Sequence, residues 1–179
     1  MNRINNLAVL LPTRNRPKDL YNCLNSFNNL NLNKSCIIII DDNSDINEEI
    51  NGKLMSNLDV VRSFNQKKFK YKYLNKKSGW KDYFKYYLKL SESYKYFSFM
   101  SDDDFFNNND LIQKSIDILE KNQSISYVVT PAKMFDIDDN WERDFLIPLK
   151  TFTGIEFIEE FISSENLQHA TCTGVFRIQ

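Results

Sequence analysis

Tyr96-Phe-Ser-Phe-Met-Ser-Asp-Asp-Asp-Phe-Phe106 is an apolar, aromatic run that ends in three consecutive carboxylates. Four of the five residues from Tyr96 to Met100 are aromatic or Met, which is typical of a short strand buried on both faces of a parallel sheet. Adjacent carboxylates repel one another, and their ionised forms are costly beside an apolar strand unless a cation compensates them. Oxygen ligands favour Mg²⁺ or Mn²⁺ over metals that prefer thiolates. The stretch therefore predicts a divalent-cation site at the end of a buried strand.

A solvated acidic turn is the alternative interpretation of the three aspartates. It would place an aspartate at the N-cap of a helix, because Asp110 and Leu111 begin a helical pattern soon afterwards. A second strand favours the cation site: the β-branched run Cys36 to Ile40 also ends in carboxylates, within Asp41-Asp42-Asn43-Ser44. Two buried strands that end in the same way indicate one site at the edge of a sheet.

The first apolar run, Leu7 to Leu11, predicts another buried strand, and Pro12 should end it because proline cannot donate to a ladder. The polar loop Thr13 to Arg16 follows, and Pro17 occupies a position that suits the first turn of a helix. A loop between a strand's carboxyl end and a helix N-terminus is a natural anion or nucleotide site. The glycine patterns of dinucleotide folds and P-loops are absent from the sequence, so side chains would do the binding.

The rest of the chain alternates between strand and helix periodicities. In order, the predicted segments are a helix from Ser44 or Asp45 carrying Ile46, Ile50 and Leu54, a near-edge strand Lys68–Leu74, a helix Trp80–Leu90, a helix with Leu111, Ile112, Ile116 and Leu119, a strand Ser126–Thr130, an irregular connection beyond Pro131, a helix capped by Thr153 with Ile155, Ile158, Phe161 and Ile162 inward, and a strand Thr171–Ile178. The alternation predicts a three-layer α/β/α sandwich with a mostly parallel central sheet and right-handed crossovers, in one domain over residues 1–179.

Composition narrows the class of protein. The 179 residues are 42% hydrophobic and 26% charged, as in ordinary globular proteins, and a net charge of −1 gives no electrostatic footprint for nucleic acid. Three cysteines without a Cys-x-x-Cys pair suggest free thiols in a reducing compartment. The run Leu7 to Leu11 is too short for a signal peptide or membrane span, which predicts a cytoplasmic location.

Three motifs taken together carry a family resemblance. Leu7-Ala-Val-Leu-Leu-Pro-Thr-Arg-Asn-Arg16, Ile37-Ile-Ile-Ile-Asp-Asp-Asn-Ser44 and Phe97-Ser-Phe-Met-Ser-Asp-Asp-Asp-Phe105 resemble the N-terminal, nucleotide-sugar-binding half of family 2 glycosyltransferases with the GT-A fold. The similarity covers residues 7–178, nearly the whole chain. It implies a sugar transferase that uses a nucleotide-diphosphate donor, a divalent metal and a glycan or lipid-linked hydroxyl acceptor, and that inverts the configuration at the sugar carbon.

The resemblance also implies roles for individual residues. The residues that would hold the base and ribose are Pro12, Thr13, Asn15, Arg16 and, for the base itself, Asp42. The metal ligands would be Asp103 with support from Asp102 and Asp104, because Ser101 stands where many members have the first Asp of the Asp-x-Asp motif. The ion would be Mn²⁺ or Mg²⁺, clamped on the donor diphosphate.

The resemblance further implies a single-displacement, inverting transfer, which needs a general base. In the family that base is a carboxylate beyond the last strand. We therefore expect the domain to be incomplete at its C-terminus, and we assign no catalytic residue within the 179 residues. Asp136, Asp138 and Asp139 do not match the family position, and a structural role is expected for His169. Association with the inner face of a membrane is a further expectation.

Two other classes stay open. The pair Asp41-Asp42 would suit a phosphoacceptor receiver domain, but there the pair should follow the first strand, whereas Leu7 to Leu11 comes earlier. A non-catalytic or truncated sugar-nucleotide-binding module would keep the donor site and lack transfer.

Overall fold

The structure of the chain is a computed structural model that describes residues 5–27, 35–64, 66–78, 80–106, 109–136, 140–145, 151–163 and 174–178. The strands of this part are β1 (Asn5–Thr13), β2 (Ser35–Asp41), β3 (Glu48–Ile50), β4 (Lys53–Met55), β5 (Phe69–Tyr73), β6 (Tyr94–Phe99), β7 (Tyr127–Val129), β8 (Ala132–Asp136), β9 (Trp141–Phe145) and β10 (Gly174–Arg177). The α-helices are α1 (Pro17–Ser26), α2 (Asn57–Ser63), α3 (Trp80–Ser91), α4 (Asn109–Lys121) and α5 (Gly154–Ser163).

Six strands form the central sheet in the order β5-β2-β1-β6-β10-β7. The four strands from β5 to β6 pair in parallel, and β10 is antiparallel to both of its neighbours. The mostly parallel sheet is therefore confirmed, and β5 lies at an edge as its alternating pattern predicted. β10 is the exception, because it enters between β6 and β7 in the opposite direction.

The core lies on both faces of this sheet. One face buries Leu7, Val9 and Leu11 of β1 against residues of α1, α2 and α4. The other face buries Ala8 and Leu10 of the same strand in a cluster that includes Tyr87 of α3. Because β1 is covered on both sides, it reads as a continuous apolar run rather than an alternating one. The predicted three-layer α/β/α arrangement is confirmed.

The prediction that Pro12 ends the first strand is wrong. β1 stays paired with β2 through Thr13, with Pro12 opposite Ile40, whereas its pairing with β6 ends at Leu10. The Leu10 carbonyl accepts from Met100 N–H on the β6 side, and the Thr13 carbonyl accepts from Asp42 N–H on the β2 side. Because successive residues alternate sides, Pro12 directs its missing donor towards the β6 side, beyond the last pair, where no ladder bond is lost.

The prediction of a helix after Ser44 is also wrong, because residues 48–55 form the hairpin of β3 and β4. Its two-residue turn is Asn51-Gly52, with φ of 53° and 74°, as a type I′ turn requires. The helix α2 begins only afterwards, where the Ser56 hydroxyl accepts from Asp59 N–H and the Asp59 carboxylate accepts from Ser56 N–H. The four-residue spacing of Ile46, Ile50 and Leu54 imitates a helix, but only Ile50 is buried.

Two predictions for the C-terminal third need correction. The connection after Pro131 contains an antiparallel hairpin, in which Ala132–Asp136 pairs with Trp141–Phe145. Helix α5 begins after Thr153 as predicted, but Ile155 and Ile158 are 72% and 57% exposed rather than inward; Phe157 packs edge-on against Tyr127 instead. The side chains of Asp136, Phe161 and Ile162, and the whole of Asp138, Asp139, His169 and residues 171–173, lie outside the described residues.

Candidate functional site

The carboxyl ends of β1, β2, β5 and β6 meet at one edge of the sheet, because these four strands are parallel. The segments that follow them surround an open cleft of about 420 Å³. Its lining combines charged, hydroxyl-bearing and aromatic side chains: Pro12, Thr13, Arg14, Arg16, Asp42, Lys77, Ser78, Tyr83, Ser101 and Asp102. The edge is where ligands bind in open α/β sheets, and four of the five predicted nucleotide-binding residues belong to this cleft.

Arg16 joins the first loop to the carboxylates after β6. Its Nη1 donates to Asp103 Oδ2 at 2.8 Å and to Asp102 Oδ1 at 3.3 Å. Burial raises the pKa of Asp102, although the Thr13 hydroxyl and the Arg16 charge partly offset it. At Asp103, partial burial is outweighed by hydrogen bonds from Ser101 and Arg16, which lower the pKa. Asp102 and Asp103 therefore share one cationic partner, the Arg16 guanidinium. It supplies the positive charge that neighbouring carboxylates need.

The third carboxylate, Asp104, is not part of this convergence. It is exposed, and its N–H donates to the Ser101 carbonyl at 3.2 Å in the turn after β6. Among the described residues there is no group of three or more His, Cys, Asp or Glu side chains arranged to hold a metal. Two carboxylates suit Mg²⁺ or Mn²⁺ when phosphate oxygens and waters complete the shell. Asp102 and Asp103 are thus the two described side chains that would hold such an ion.

The two carboxylates at the end of β2 have different surroundings. Asp41 is buried, and its oxygens accept from the Tyr71 hydroxyl at 2.6 Å and from Ser44 N–H at 2.8 Å. Asp42 is also buried but borders the cleft, and its Oδ1 accepts from Ser78 N–H at 2.6 Å. Asp41 therefore ties the loop to β5, whereas Asp42 is the one of the two that a ligand in the cleft would meet.

Asn15, the fifth predicted nucleotide-binding residue, does not line the cleft. Its backbone has a φ of 53°, and its side chain exchanges two hydrogen bonds of 2.9 Å with Asp45. Its N–H donates to Ser44 Oγ at 2.8 Å. The structure therefore places Asn15 as a link between the loops after β1 and β2.

Asn57, at the start of α2, strengthens the same link and was missed by the sequence analysis. It is buried, and its Nδ2 donates to Ser44 Oγ at 2.9 Å and Thr13 Oγ1 at 3.3 Å. The sequence analysis predicted a helix from Ser44 or Asp45, and it therefore did not identify Ser56 as the N-cap of α2 or Asn57 as its first residue.

Arg14, Lys77, Ser78 and Tyr83 are the other cleft residues that the sequence analysis did not select. A signal for them existed: β5 was predicted, and the loop after a parallel strand ends at the same edge as its neighbours. Lys77 and Ser78 are in that loop, and Tyr83 lies in the first turn of α3. Burial and the nearby Asp42 charge raise the pKa of the Tyr83 phenol.

Solved structures with a similar fold include S. aureus TarS and a mannosyltransferase. S. aureus TarS 1–349 in complex with UDP has a TM-score of 0.63 at 17% identity, covering 96% of this chain and 46% of that chain. The same TarS fragment in complex with UDP-GlcNAc gives 0.56 at 19% identity, over 69% and 33% of the two chains. Mannosyltransferase PcManGT from Pyrobaculum calidifontis in complex with GDP-Man and Mn²⁺ gives 0.56 at 13% identity, over 69% and 34%. The chain thus spans less than half the length of these proteins.

Comparison of the sequence with known proteins and with family models identifies the family. No curated protein sequence matches the chain significantly. The family model for glycosyl transferase family 2 does match, over residues 8–178, which include the whole lining of the cleft and all of the central sheet except the first three residues of β1. The chain therefore belongs to glycosyl transferase family 2.

Proposed function

We propose that the chain binds the nucleoside diphosphate of a sugar donor in the cleft and serves the transfer of that sugar to a hydroxyl group. The observation that carries the proposal is the meeting of Asp42, Thr13 and Asp102 in one cleft at the carboxyl edge of a parallel sheet, with Asp103 joined to Asp102 through Arg16. Carboxylates at a diphosphate site need a cation between like charges. Mn²⁺ or Mg²⁺ held by Asp102 and Asp103 supplies it.

The division of labour follows from the two strand ends. Asp42 follows β2 and the proposed metal pair follows β6, and β1 lies between these two strands. A carboxylate such as Asp42 accepts hydrogen bonds from the ring N–H groups of uracil or guanine. The cleft is lined here by Pro12 and Thr13, at the end of β1, and by Arg16, in the loop between β1 and α1. We assign that loop to the ribose and diphosphate, with Asn15 holding its shape through Asp45.

The chemistry is a problem of charge. Breaking the bond between sugar and diphosphate builds negative charge on the leaving group, and preorganised positive charge stabilises it. The divalent ion would supply Lewis-acid stabilisation there. Arg14, Arg16 and Lys77 line the same cleft and add cationic side chains around the diphosphate. The acceptor we propose is a hydroxyl of a glycan or a lipid-linked sugar, approached with inversion.

The ligands of the related structures support the choice of donor. TarS is solved with UDP and UDP-GlcNAc, and PcManGT with GDP-Man and Mn²⁺. We propose a uridine or guanosine nucleotide sugar for this chain. None of the described helices is long and apolar enough to cross a membrane. Action in the cytoplasm, at the inner face of a membrane, remains our proposal.

Thermal unfolding in the presence of nucleotides tests the donor site. A ligand that binds only the folded chain stabilises it by about 2.7 kcal/mol at a concentration of 100 Kd. We expect UDP or GDP with Mn²⁺ to raise the Tm, and uridine, guanosine or inorganic phosphate at equal concentration to leave it unchanged. If UDP, GDP, CDP and TDP all leave the Tm unchanged with Mn²⁺ present, the proposed donor site is wrong.

A binding module without transfer is the second candidate. It is favoured by one observation: the two carboxylates that line the cleft, Asp42 and Asp102, are both engaged by donors of the chain itself, which leaves the described lining without a ready general base. Release of UDP from UDP-GlcNAc, or of GDP from GDP-Man, separates the candidates. Losing a general base costs about 10²- to 10⁴-fold in rate, so the module predicts donor binding with almost no release.

A further inference from the structure

The guanidinium of Arg16 lies where a cation would bridge Asp102 and Asp103. One nitrogen, Nη1, contacts both carboxylates, at 3.3 and 2.8 Å. These contacts connect positions 86 and 87 residues apart in the chain, so they are made by the fold and not by local sequence. Asp102 has only 7% of its side chain exposed, whereas Arg16 and Asp103 are 48% and 52% exposed. The buried member of the pair is thus neutralised by an arginine that keeps access to solvent.

We infer that Arg16 is an internal counter-ion that opposes metal binding until the donor nucleotide arrives. The inference rests on the proposed donor site and adds an order of events to it. In the nucleotide-free chain, Arg16 neutralises Asp102 and Asp103. When the diphosphate enters, the guanidinium moves to its oxygens, and the two carboxylates become available to the divalent ion.

Competition between Arg16 and the ion follows from geometry and charge. Mg²⁺ bonds carboxylate oxygens at about 2.0–2.1 Å, which a guanidinium nitrogen already at 2.8 Å from Asp103 Oδ2 obstructs. A like charge nearby also weakens binding of a divalent ion. The ion and the arginine cannot both occupy the space between the two carboxylates.

Moving the Arg16 guanidinium from the carboxylates to a diphosphate costs little free energy, because Arg16 is half exposed and already lines the cleft. The exposed pair of Arg16 with Asp103 contributes little to stability, and the positive charge of the divalent ion replaces that of Arg16 beside the buried Asp102. Arg16 already lines the cleft, and guanidinium groups bind phosphate oxygens with good geometry. A diphosphate in the cleft offers Arg16 a new anionic partner within the same site.

Arg14 provides a matched control. It lies in the same loop, borders the same cleft and carries the same charge, but among the described residues the ion pairs of Asp102 and Asp103 are made by Arg16. Arg16→Gln and Arg14→Gln therefore remove equal charge from the loop, and only the first removes the guanidinium from the carboxylates. Arg16→Lys keeps the positive charge.

The test is a titration of the chain with Mn²⁺ alone, followed by the electron paramagnetic resonance signal of the free ion. We expect Arg16→Gln to bind Mn²⁺ about three- to tenfold more tightly than the unaltered chain, because the ion then no longer competes with a half-exposed guanidinium for the two carboxylates. Arg14→Gln should change the affinity by less than about twofold, as expected for a screened charge without direct contact. Arg16→Lys should remain close to the unaltered chain.

Repeating the titration with saturating UDP completes the test. By linkage, UDP and Mn²⁺ raise each other's affinity by the same factor, and we expect that factor to be smaller in Arg16→Gln than in the unaltered chain. If Mn²⁺ binds with UDP but Arg16→Gln and Arg14→Gln have equal nucleotide-free affinities for it, the role of Arg16 is overturned and the donor site stands. If no Mn²⁺ binds even with UDP, the metal site and the inference both fail.

Discussion

At the scale of single residues, two neighbouring aspartates offer the clearest test of which side chains meet the ligand. Asp41 and Asp42 end the same strand and are both buried. The Asp41 carboxylate accepts hydrogen bonds from the Tyr71 hydroxyl and Ser44 N–H, whereas the Asp42 carboxylate accepts from Ser78 N–H at the border of the cleft. The same substitution at the two positions should therefore have different consequences.

We expect Asp42→Asn to weaken UDP binding about 10- to 100-fold, because a hydrogen bond to a charged group contributes about 1.5–3 kcal/mol. Its nucleotide-free Mn²⁺ affinity should change little, since the predicted metal ligands follow β6. Isothermal calorimetry with each ligand measures both. A large loss of Mn²⁺ binding with unchanged UDP affinity would contradict the proposed division between base and metal.

Asp41→Asn is the matched control. It leaves the lining of the cleft intact but disturbs two buried hydrogen bonds, so the cost should appear in the free energy of unfolding, at about 1–3 kcal/mol. Urea denaturation measures it. UDP affinity of the folded variant should stay within about threefold of the unaltered chain, well short of the change at Asp42.

At the scale of elements, the strands were predictable and their exceptions were not. Runs such as Cys36 to Ile40 are apolar throughout, and a buried parallel strand is the structure that suits them. The hairpin at Asn51-Gly52 was missed because the four-residue spacing of isoleucine and leucine outweighed a turn dipeptide that is itself a strong signal. Arg16 could be assigned to a binding loop, but its contact with Asp102 depends on a side-chain conformation across the fold.

Gly52→Ala tests the hairpin that replaced the predicted helix. The space around Gly52 is open, but its φ is 74°, a conformation that costs other residues about 1–2 kcal/mol. We expect a loss of that size in the free energy of unfolding, measured in urea. Were residues 48–55 helical, the same change would stabilise the chain by about 1 kcal/mol.

Gly154→Ala is the control for that substitution. It also has open space around it, and its backbone lacks the positive φ of Gly52. A Gly→Ala change at a compatible position stabilises by about 0.4–1 kcal/mol through the unfolded chain. A lower free energy of unfolding for Gly52→Ala and a higher one for Gly154→Ala would show that backbone conformation is the cause. A lower value for both variants would contradict that explanation.

At the scale of the whole molecule, β10 is the element that brings the end of the chain into the central sheet. The Ser98 hydroxyl donates to the Gly174 carbonyl at 2.7 Å, and the Tyr127 ring stacks on Phe176 with centroids 3.8 Å apart. Its direction was not predictable from sequence, because a short strand after a helix carries no signal for parallel or antiparallel pairing. The alternation of elements suggested a parallel sheet, and β10 departs from it.

Gly174→Ala tests this insertion. A methyl group at that position would collide with the Tyr127 ring, so we expect a loss of about 1–3 kcal/mol in the free energy of unfolding, as for overpacked cores. The double variant Gly174→Ala/Tyr127→Ala should lose less than the sum of the two single changes, because the second substitution makes room for the first. Additive losses would show that β10 does not pack against Tyr127 in this way.

The extent of the domain stays a prediction at this scale. The described residues contain a central sheet and a cleft, and the chain spans less than half the length of the larger proteins whose fold it resembles. We therefore keep sugar transfer by the 179-residue chain as a separate question from donor binding.

The most direct measurement is a calorimetric titration of the unaltered chain with UDP, in Mn²⁺ and again in EDTA. The account predicts saturable binding of one UDP per chain in Mn²⁺, strongly weakened by EDTA and by Asp103→Ala, because the carboxylate pair and the diphosphate need a shared cation. Equal UDP affinity in Mn²⁺ and in EDTA, unaffected by Asp103→Ala, would contradict the claim that Asp102 and Asp103 form a metal-dependent donor site.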